Sequence, residues 1–275
     1  MNCAGPALRL VLVLVEPSGP LNIGSVARLC ANFGIAELRL VAPRCDPLAE
    51  EARRMAVHAL PLLEAARVLP DLDSALADCR RVVATSGRGE GDPLPPVSCC
   101  EALSWLLQSG AAEEPGAAGE PVAGEVAGAA PLALVFGRED RGLSSDELLR
   151  AGRIVRIETD SAYASLNLSH AVAVVLHALH ELRHAPAAAA ASGPALQGAA
   201  EPCARQELEA ALADARALLL EVGFLLPHTA RARMAKLRAL LQRAQVSQAE
   251  VALLRGMVCQ LRWASRRPFA SAEDH

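Results

Sequence analysis

Three side chains near the N-terminus could together hold an anionic oxygen. Asn22, Gly24 and Arg28 follow an apolar run at 8–15 and a turn at 16–20 that contains two prolines and a glycine. The run predicts a strand buried on both faces. Asn22 is then a candidate helix N-cap, and Gly24 permits close approach to the first helical turn. A helix N-terminus beside a guanidinium suits a phosphate, although an ordinary βα unit with Arg28 in a surface ion pair fits equally well.

Two later segments make the anion site more specific. Residues 133–143 read ALVFGREDRGL, and residues 154–159 precede the sequence YASLNLS at 163–169 and an apolar helix. Each has an ordinary interpretation as well. Gly137–Glu139 could be a simple strand-to-helix turn, and Ser165–Asn167 could merely cap the following helix.

With all three segments in this order, the chain resembles the SPOUT class of RNA methyltransferases, in the SpoU branch that methylates ribose 2′-oxygens. Three further segments resemble the TrmJ type, which acts on the tRNA anticodon loop. They are VAPRC at 41–45, ATSGR at 84–88 and EVALLRG at 250–256. The resemblance covers 8–184 well and about 203–265 more loosely.

The resemblance implies an α/β fold with a mainly parallel sheet covered by helices, a deep trefoil knot across about 85–167, and a C-terminal helical extension. The knot follows from the resemblance alone, since ordinary topology rules disfavour it. The resemblance also implies a homodimer in which the neighbouring subunit completes each active site.

The implied cofactor is S-adenosyl-L-methionine, bound in the knot mostly by backbone groups. By motif position, the cofactor-binding residues are Thr85, Ser86, Gly87, Gly137, Ile157, Ala164, Ser165 and Leu166. Gly137 would allow the backbone to approach the adenosine. The implied catalytic residues are Arg28, Asn22, Glu139 and Asn167. Because arginine stays protonated, we expect Arg28 to position the substrate phosphate, with Asn22 orienting Arg28 or the ribose.

The resemblance implies an S-adenosylmethionine-dependent tRNA (cytidine/uridine-2′-O-)-methyltransferase, acting on position 32 of the anticodon loop. The alternatives are another tRNA or rRNA 2′-O-methylation site, a base methyltransferase, and a noncatalytic RNA-binding SPOUT protein. An NAD-dependent dehydrogenase is disfavoured because no strand is followed by GxGxxG.

Composition limits the remaining classes of function. The eight cysteines have no CxxC spacing, and Cys99 and Cys100 are adjacent, so we expect reduced thiols, no zinc site and a cytoplasmic protein. We expect no membrane segment and no signal peptide. His170, His177 and His180 share one helix, where surface or interface positions fit better than a metal site.

Basic residues concentrate near the C-terminus, although the whole chain has a net charge of −4. Nine basic residues and one acid lie between 229 and 268, a local charge of about +8. We expect tRNA contacts there, in addition to Arg28, from Arg231, Arg233, Lys236 and Arg238. A solvated basic helix face is the alternative.

The apolar periodicity predicts three regions: a methyltransferase domain at 1–184 with a flexible insertion at 110–130, a linker at 185–201, and a basic helical domain at 202–268. Predicted strands lie near 8–15, 37–42, 80–85, 131–136 and 153–158. Predicted helices lie near 22–33, 50–67, 73–79, 98–109, 144–151, 165–184, 203–222, 230–244 and 247–265. Ser144–Glu147 and Ser247–Glu250 have the spacing of capping boxes, and Gly34 suits the end of the first helix.

Overall fold

The protein is described by a computed structural model that covers residues 9–87, 91–108, 130–160, 162, 165–184 and 201–266. Its centre is a seven-stranded sheet in the order β3-β2-β1-β6-β4-β7-β5, and every strand pair is parallel. The strands are β1 (Leu10–Val15), β2 (Glu37–Val41), β3 (Arg67–Leu69), β4 (Arg81–Ser86), β5 (Pro96–Val97), β6 (Leu132–Phe136) and β7 (Arg153–Arg156). The predicted α/β class and parallel sheet are confirmed.

Strand β1 separates two cores, because successive side chains on a strand point to opposite faces. Leu10, Leu12 and Leu14 pack into one core, whereas Val11 and Val13 belong to the other. All six residues of β1 are buried, as its unbroken apolar run predicts. The sheet is therefore covered by helices on both faces.

The helices of the sheet domain follow the strands at short intervals. They are α1 (Pro20–Asn32), α2 (Glu50–Ala56), a 3₁₀ turn (Val57–Ala59), α3 (Leu60–Glu64), α4 (Leu72–Leu76), α5 (Cys99–Leu107), α6 (Ser145–Leu148) and α7 (Leu168–His184). The capping box from Ser144 to Glu147 is confirmed. Gly34 follows α1 with a φ of 70°, the left-handed conformation that glycine adopts without strain.

The predicted helix 50–67 is wrong, because the chain breaks at Val57. This residue ends α2 with a φ of 52° and a ψ of −115°. A 3₁₀ turn and the short α3 follow, and the edge strand β3 begins at Arg67. The strands β3 and β5, of three and two residues, were not predicted from the sequence.

Three C-terminal helices form a third core of their own. They are α8 (Arg205–Glu221), α9 (Pro227–Ala244) and α10 (Gln248–Ser265), and α10 begins with the predicted capping box from Ser247 to Glu250. The start of α8 is joined to the sheet domain by the backbone bond from Arg205 N to Cys79 O, 3.1 Å long. On α10, Val251 is buried but Leu261 is exposed, so only part of the apolar surface of this helix packs against its neighbours.

The insertion at 110–130 and the linker at 185–201 lie almost wholly outside the described residues. Within the described part of the chain, no helix combines the length and apolar character needed to cross a bilayer.

Candidate active site at the carboxyl ends of the strands

A cavity of about 270 Å³ opens beside the carboxyl ends of the central strands. Its walls come from the end of β4, from the turn after β6, from Ile157 after β7 and from the residues before α7. Parallel α/β sheets commonly bind ligands at this edge, where loops from several strands meet.

The cavity brings together residues that are far apart in sequence. Of the predicted cofactor-binding residues, those that line it are Thr85, Ser86, Gly87, Gly137, Ile157, Ser165 and Leu166. Ala164 lies outside the described residues. Glu139 lines both this cavity and an adjoining open one, which Asn167 also lines.

The carboxylate of Glu139 caps helix α1 from 120 residues further along the chain. It accepts hydrogen bonds from the backbone N–H groups of Ser18 (3.1 Å) and Gly19 (3.1 Å) and from Asn22 Nδ2 (3.1 Å). The Ser18 hydroxyl donates a further bond of 3.1 Å. The N-cap residue, Gly19, has no side chain, and Glu139 accepts from its backbone N–H in the way that the glutamate of a capping box does.

These bonds fix the charge of Glu139. Partial burial favours the neutral acid, but the hydrogen bonds from Asn22 and from the backbone of Ser18 and Gly19 outweigh it and lower the pKa. Glu139 is therefore ionised at neutral pH and its lone pairs are engaged, which suits a positioning group better than a proton acceptor.

One sequence interpretation of α1 is corrected by this arrangement. Asn22 is not the N-cap: it is the third residue of α1, and its amide donates to Glu139 and not to Arg28. The N–H groups of Ser18 and Gly19, just before the helix, bind the carboxylate of Glu139 and are therefore not available to a phosphate.

Gly24 and Gly137 both allow a close backbone approach, although within the protein itself. A Cβ at Gly24 would collide with the carbonyl of Ala52 in α2, and one at Gly137 would collide with the backbone of Gly142 and Leu143. The two glycines therefore serve helix packing and a tight turn, and the approach of a cofactor to the backbone of Gly137 remains a prediction.

Arg28 lies on the surface of α1 and is available for an external partner. The side chain is exposed, it does not line the main cavity, and it has no ion pair or hydrogen bond among the described residues. The predicted surface ion pair is thus absent there. Residues 22 and 28 are six positions apart, which places them on different faces of the helix.

The turn after β6 is held by a pair of carboxylates that sequence reasoning missed. Arg138 donates to both oxygens of Glu147 at 2.9 Å and also pairs with Glu16 at the end of β1. Glu16 binds Arg44 as well, and Arg138 holds its pKa down to about 2. The only sequence signal was the capping box that contains Glu147.

The buried carboxylate of Asp92 supports the cavity wall that β4 forms. The Ser86 hydroxyl donates to Asp92 at 2.9 Å, and Arg156 lies 3.4 Å from the same carboxylate. Thr85 donates to the Val135 carbonyl at 3.3 Å. Two of the predicted cofactor-binding side chains therefore hold the loops in place and leave backbone groups for a ligand.

Asn167 caps helix α7, as the ordinary interpretation of Ser165–Asn167 predicts. Its Oδ1 accepts from the Ser169 N–H at 2.9 Å and from the Ser169 hydroxyl at 2.7 Å. A catalytic role for Asn167 remains a prediction.

Most basic residues predicted to contact RNA have acidic or backbone partners. Arg231 pairs with Asp146, Arg238 pairs with Glu209 at 2.8 Å, and Arg233 donates to the Phe224 carbonyl at 2.9 Å. Lys236, by contrast, is exposed and has no ion pair in the described part of the chain. The acids of α8 had been left out of the sequence-based charge count.

The described residues contain no group of histidine, cysteine and acidic side chains that could hold a metal ion. His177 and His180 instead pack edge-on against Phe33, with ring centroids 6.5 and 5.7 Å apart.

Comparison with known families identifies the family of the chain. Residues 9–177 match the model of the SpoU rRNA Methylase family, and residues 206–272 match the C-terminal domain of the tRNA methyltransferase TrmJ. The chain belongs to the SpoU rRNA Methylase family. The resemblance seen in the sequence is thereby confirmed, including its TrmJ type.

Individual relatives extend the match over nearly the whole chain. A "tRNA (cytidine/uridine/adenosine-2'-O-)-methyltransferase TrmJ" from Pseudomonas aeruginosa is 34% identical over 94% of this chain and 95% of its own length. A cytidine/uridine TrmJ from Klebsiella pneumoniae is 35% identical over 91% of this chain and 95% of its own. The crystal structure of TrmJ from Z. mobilis ZM4 superposes with a TM-score of 0.72 at 28% identity, covering 92% of this chain and 98% of that one.

Proposed function

We propose that this protein transfers a methyl group from S-adenosyl-L-methionine to the ribose 2′-oxygen of nucleotide 32 in the tRNA anticodon loop, in the cytoplasm. The observation that carries the proposal is the cavity in which the segments 85–87 and 136–143 meet Ile157, Ser165 and Leu166. The names of its SpoU-family relatives, which specify tRNA 2′-O-methylation, support the substrate.

The cavity has the character that a nucleoside cofactor requires. Ile157, Leu166 and Leu143 give it an apolar wall, while the loops at 85–87 and 136–142 bring backbone groups to its edge. Nothing lies within 4 Å of where a Cβ of Gly87 would be, so this loop leaves its backbone accessible. We expect these loops to hold S-adenosylmethionine, whose sulfonium supplies the methyl group, and the chain to form the family's trefoil knot across about 85–167.

The protein's own contribution is to position the 2′-hydroxyl and to stabilise charge. Methyl transfer forms a bond from the 2′-oxygen to the methyl carbon as the bond from carbon to sulfur breaks, and the hydroxyl proton leaves. Alignment of the two atoms can supply about 7–11 kcal/mol in favourable systems. Arg28 would bind the neighbouring phosphate and stabilise charge on the oxygen, while Glu139 fixes α1, on which Arg28 lies.

Arg28 reaches the reaction centre, in our proposal, from the second subunit of a homodimer. The support is that Arg28 is exposed and lies outside the lining of its own chain's cavity. The packed pair α1 and α7 also leaves Leu21 and Val174 more than 40% exposed, at 55% and 44%. An apolar surface beside an unpaired arginine suits a twofold interface.

Subunit mixing tests this arrangement directly. Arg28→Ala removes the phosphate contact, and Leu166→Arg blocks the cavity, so each homodimer should be inactive. Mixed dimers would contain one intact site, and random mixing should restore about one quarter of wild-type activity. If the mixture stays inactive while mass spectrometry confirms mixed dimers, Arg28 acts within its own subunit.

The methylated position is tested by mapping ribose methylation in tRNA after reaction with the purified protein and cofactor. We expect a new 2′-O-methyl group at position 32, on cytidine and uridine. Methylation at another tRNA or rRNA position would retain the chemistry and reject the assigned site. Calorimetric binding of the cofactor without any methylation would favour a noncatalytic RNA-binding protein.

A further inference from the structure

A second, smaller cavity lies at the opposite edge of the sheet, between the sheet domain and the C-terminal helices. Its volume is about 20 Å³, and its lining includes Arg80, Trp105, Gly152, Arg205 and Gln242. We call it the Trp105 cavity. The residues Arg81 and Arg153, at the amino ends of β4 and β7, place their guanidinium groups 5.8 and 5.0 Å from the centre of the Trp105 ring.

Unpartnered polar atoms concentrate around this cavity. The described residues contain eight buried side-chain polar atoms without a hydrogen-bond partner. Four of them belong to residues that line the cavity, and a fifth belongs to Arg81 beside Trp105. They are Arg80 Nε, Arg81 Nε, Trp105 Nε1, Arg205 Nε and Gln242 Oε1. Such atoms are rare in folded proteins, and each one calls for a partner. Four of the five are donors.

The charge around the Trp105 cavity is also unbalanced. Arg80 pairs with Glu201 at 3.1 Å, but Arg81, Arg153 and Arg205 have no carboxylate within 4 Å in the described part of the chain. Arg81 and Arg205 are only 4% and 8% exposed. The carboxylates of Glu201, Glu101 and Glu209 act on Arg81, Arg153 and Arg205, respectively, from a longer distance. The buried positive charge is therefore only partly balanced, which favours a bound anion.

Burial lowers the pKa of both buried arginines, because it disfavours their charged forms. It lowers the pKa of Arg81, and it lowers that of Arg205 to about 10. Arginine keeps its positive charge in proteins, so both charges persist beside the Trp105 cavity.

We propose that the Trp105 cavity binds one monatomic anion of the size of chloride. The volume of about 20 Å³ suits a particle about as large as water better than phosphate or sulfate with their four oxygens. The anion would accept from Arg205 Nε and Trp105 Nε1 and would neutralise part of the surrounding charge. Water is the rival occupant, because it could also donate to Gln242 Oε1.

The consequence is that chloride would hold the C-terminal helices against the sheet. Arg205 is the first residue of α8, and its N–H already bonds to Cys79 of the sheet domain. Gln242 of α9 donates to the Leu149 carbonyl on the other side of the cavity. An anion at this junction would accept from Trp105 of the sheet domain and from Arg205 of α8, and would thereby connect the two parts of the chain.

Thermal unfolding in two salts of equal ionic strength provides the test. Replacing sodium gluconate by sodium chloride should raise the Tm of the full-length protein by about 3 °C once chloride is well above its Kd. Arg205→Met should remove this increment, and it should not lower the Tm in gluconate, because it also removes an unpaired buried charge. Arg216→Met, an exposed arginine on the same helix, should leave the increment intact.

Crystals grown with sodium bromide give a second readout on the unaltered protein. An anomalous peak within hydrogen-bond distance of Arg205 and Trp105 would support the proposal. A cavity that contains only a water-like, non-anomalous peak would overturn it, as would an equal chloride increment in wild type and Arg205→Met.

Discussion

Glu139 illustrates how one side chain can serve two elements at the residue scale. Its carboxylate accepts from Ser18, Gly19 and Asn22 and thereby replaces the missing cap of α1, while it also lines the candidate active site. The orientation of α1, and hence of Arg28, depends on this link between distant parts of the chain.

Glu139→Gln should destabilise the protein by about 1 kcal/mol at pH 7, because it removes a charge from the N-terminus of a helix. The folded-state pKa of Glu139 is lowered, so its stabilisation is present above the ordinary glutamate pKa of 4.5 and is lost as the pH falls through the folded value. Urea unfolding at several pH values should therefore show the two proteins converging in acid.

Asp140→Asn is the matched control for Glu139→Gln. It removes the same charge from the next residue, which is exposed, and it should change the free energy of unfolding by less than about 0.5 kcal/mol. Equal destabilisation by both substitutions would show that α1 responds to general charge and not to the Glu139 cap.

Arg28→Ala should nearly abolish methyl transfer and leave cofactor affinity unchanged. The side chain lies outside the cavity lining and has no partner among the described residues, so the fold loses little when it is removed. Arg28→Lys should rescue poorly, since an ammonium cannot form the planar, bidentate contact of a guanidinium. Single-turnover kinetics on tRNA, with calorimetry for the cofactor, separates these effects.

Near-wild-type single-turnover rates for Arg28→Ala would make Arg28 a surface residue without a role in the reaction. Arg54→Ala, which removes an exposed arginine from neighbouring α2, controls for a general loss of positive charge and should retain most of the activity.

At the residue scale, prediction from sequence succeeded for side chains that bond within their own helix. It failed for side chains whose partner lies far away in the sequence. Asn167 caps its own helix, an alternative that the sequence already offered. Asn22 had the residue type of an N-cap, but its helix begins two residues earlier and receives its cap from Glu139. No local pattern contains that contact.

Close packing of α1 on α2 depends on Gly24 at the element scale. Because a Cβ there would collide with the Ala52 carbonyl of the α2 backbone, Gly24→Ala should destabilise the protein by about 1–3 kcal/mol. Chemical denaturation provides the measurement. A loss of stability would be informative, because alanine normally stabilises a helix relative to glycine.

Gly256→Ala supplies the opposite case. Gly256 lies in exposed α10 with nothing within 4 Å of its would-be Cβ, so alanine should stabilise the protein by about 0.5–1 kcal/mol. If Gly24→Ala stabilised the protein as Gly256→Ala should, the contact between Gly24 and Ala52 would not limit the packing of α1.

The turn between β6 and α6 should respond to acid through Glu16. Arg138, then Arg44, lowers the pKa of Glu16 from 4.5 to about 2, so its stabilisation is complete above pH 4.5 and disappears as the pH falls towards 2. Glu16→Gln should therefore be less stable than wild type at pH 7 and approach it near pH 2. Denaturant titrations across this range would show the convergence.

Glu158→Gln is the control for this pH dependence, because Glu158 is exposed after β7. It should run parallel to wild type at every pH. If Glu16→Gln were as stable as wild type at every pH, the turn would be held by the pair of Arg138 with Glu147 alone.

Strands β1, β2, β4, β6 and β7 were predictable because each is an apolar run bounded by turn residues. The edge strands β3 and β5 are too short to carry a period. The helix break at Val57 was missed for a different reason. A β-branched residue with positive φ is rare, and the surrounding apolar pattern continues without interruption.

At the scale of the whole molecule, ion pairs determine which basic residues remain available to bind RNA. The sequence placed about +8 between 229 and 268, but Glu209, Asp214 and Glu221 of α8 pair with Arg238, Arg255 and Arg266. Local composition could show the concentration of arginine but not which arginines are neutralised by a helix earlier in the chain. The residues left for phosphate are therefore fewer than the basic residues of the segment.

Lys236 and Arg243 are the strongest candidates for those phosphate contacts. Both are exposed on α9, have no ion pair in the described part of the chain, and lie seven residues apart, so they share one face of the helix. Lys236→Gln and Arg243→Gln should each weaken tRNA binding and reduce the slope of log affinity against log salt by about 1.

Arg238→Gln should weaken tRNA binding much less, because Glu209 already neutralises that guanidinium. Filter binding over a range of salt concentrations, with cofactor affinity as the measure of intact folding, compares the three variants on one scale. Removal of 202–275 should abolish the same salt-dependent component and spare most of the cofactor affinity. If Arg238→Gln reduces the salt slope as much as Lys236→Gln does, the ion pair opens on RNA binding, and the whole basic segment contacts tRNA as its composition suggests.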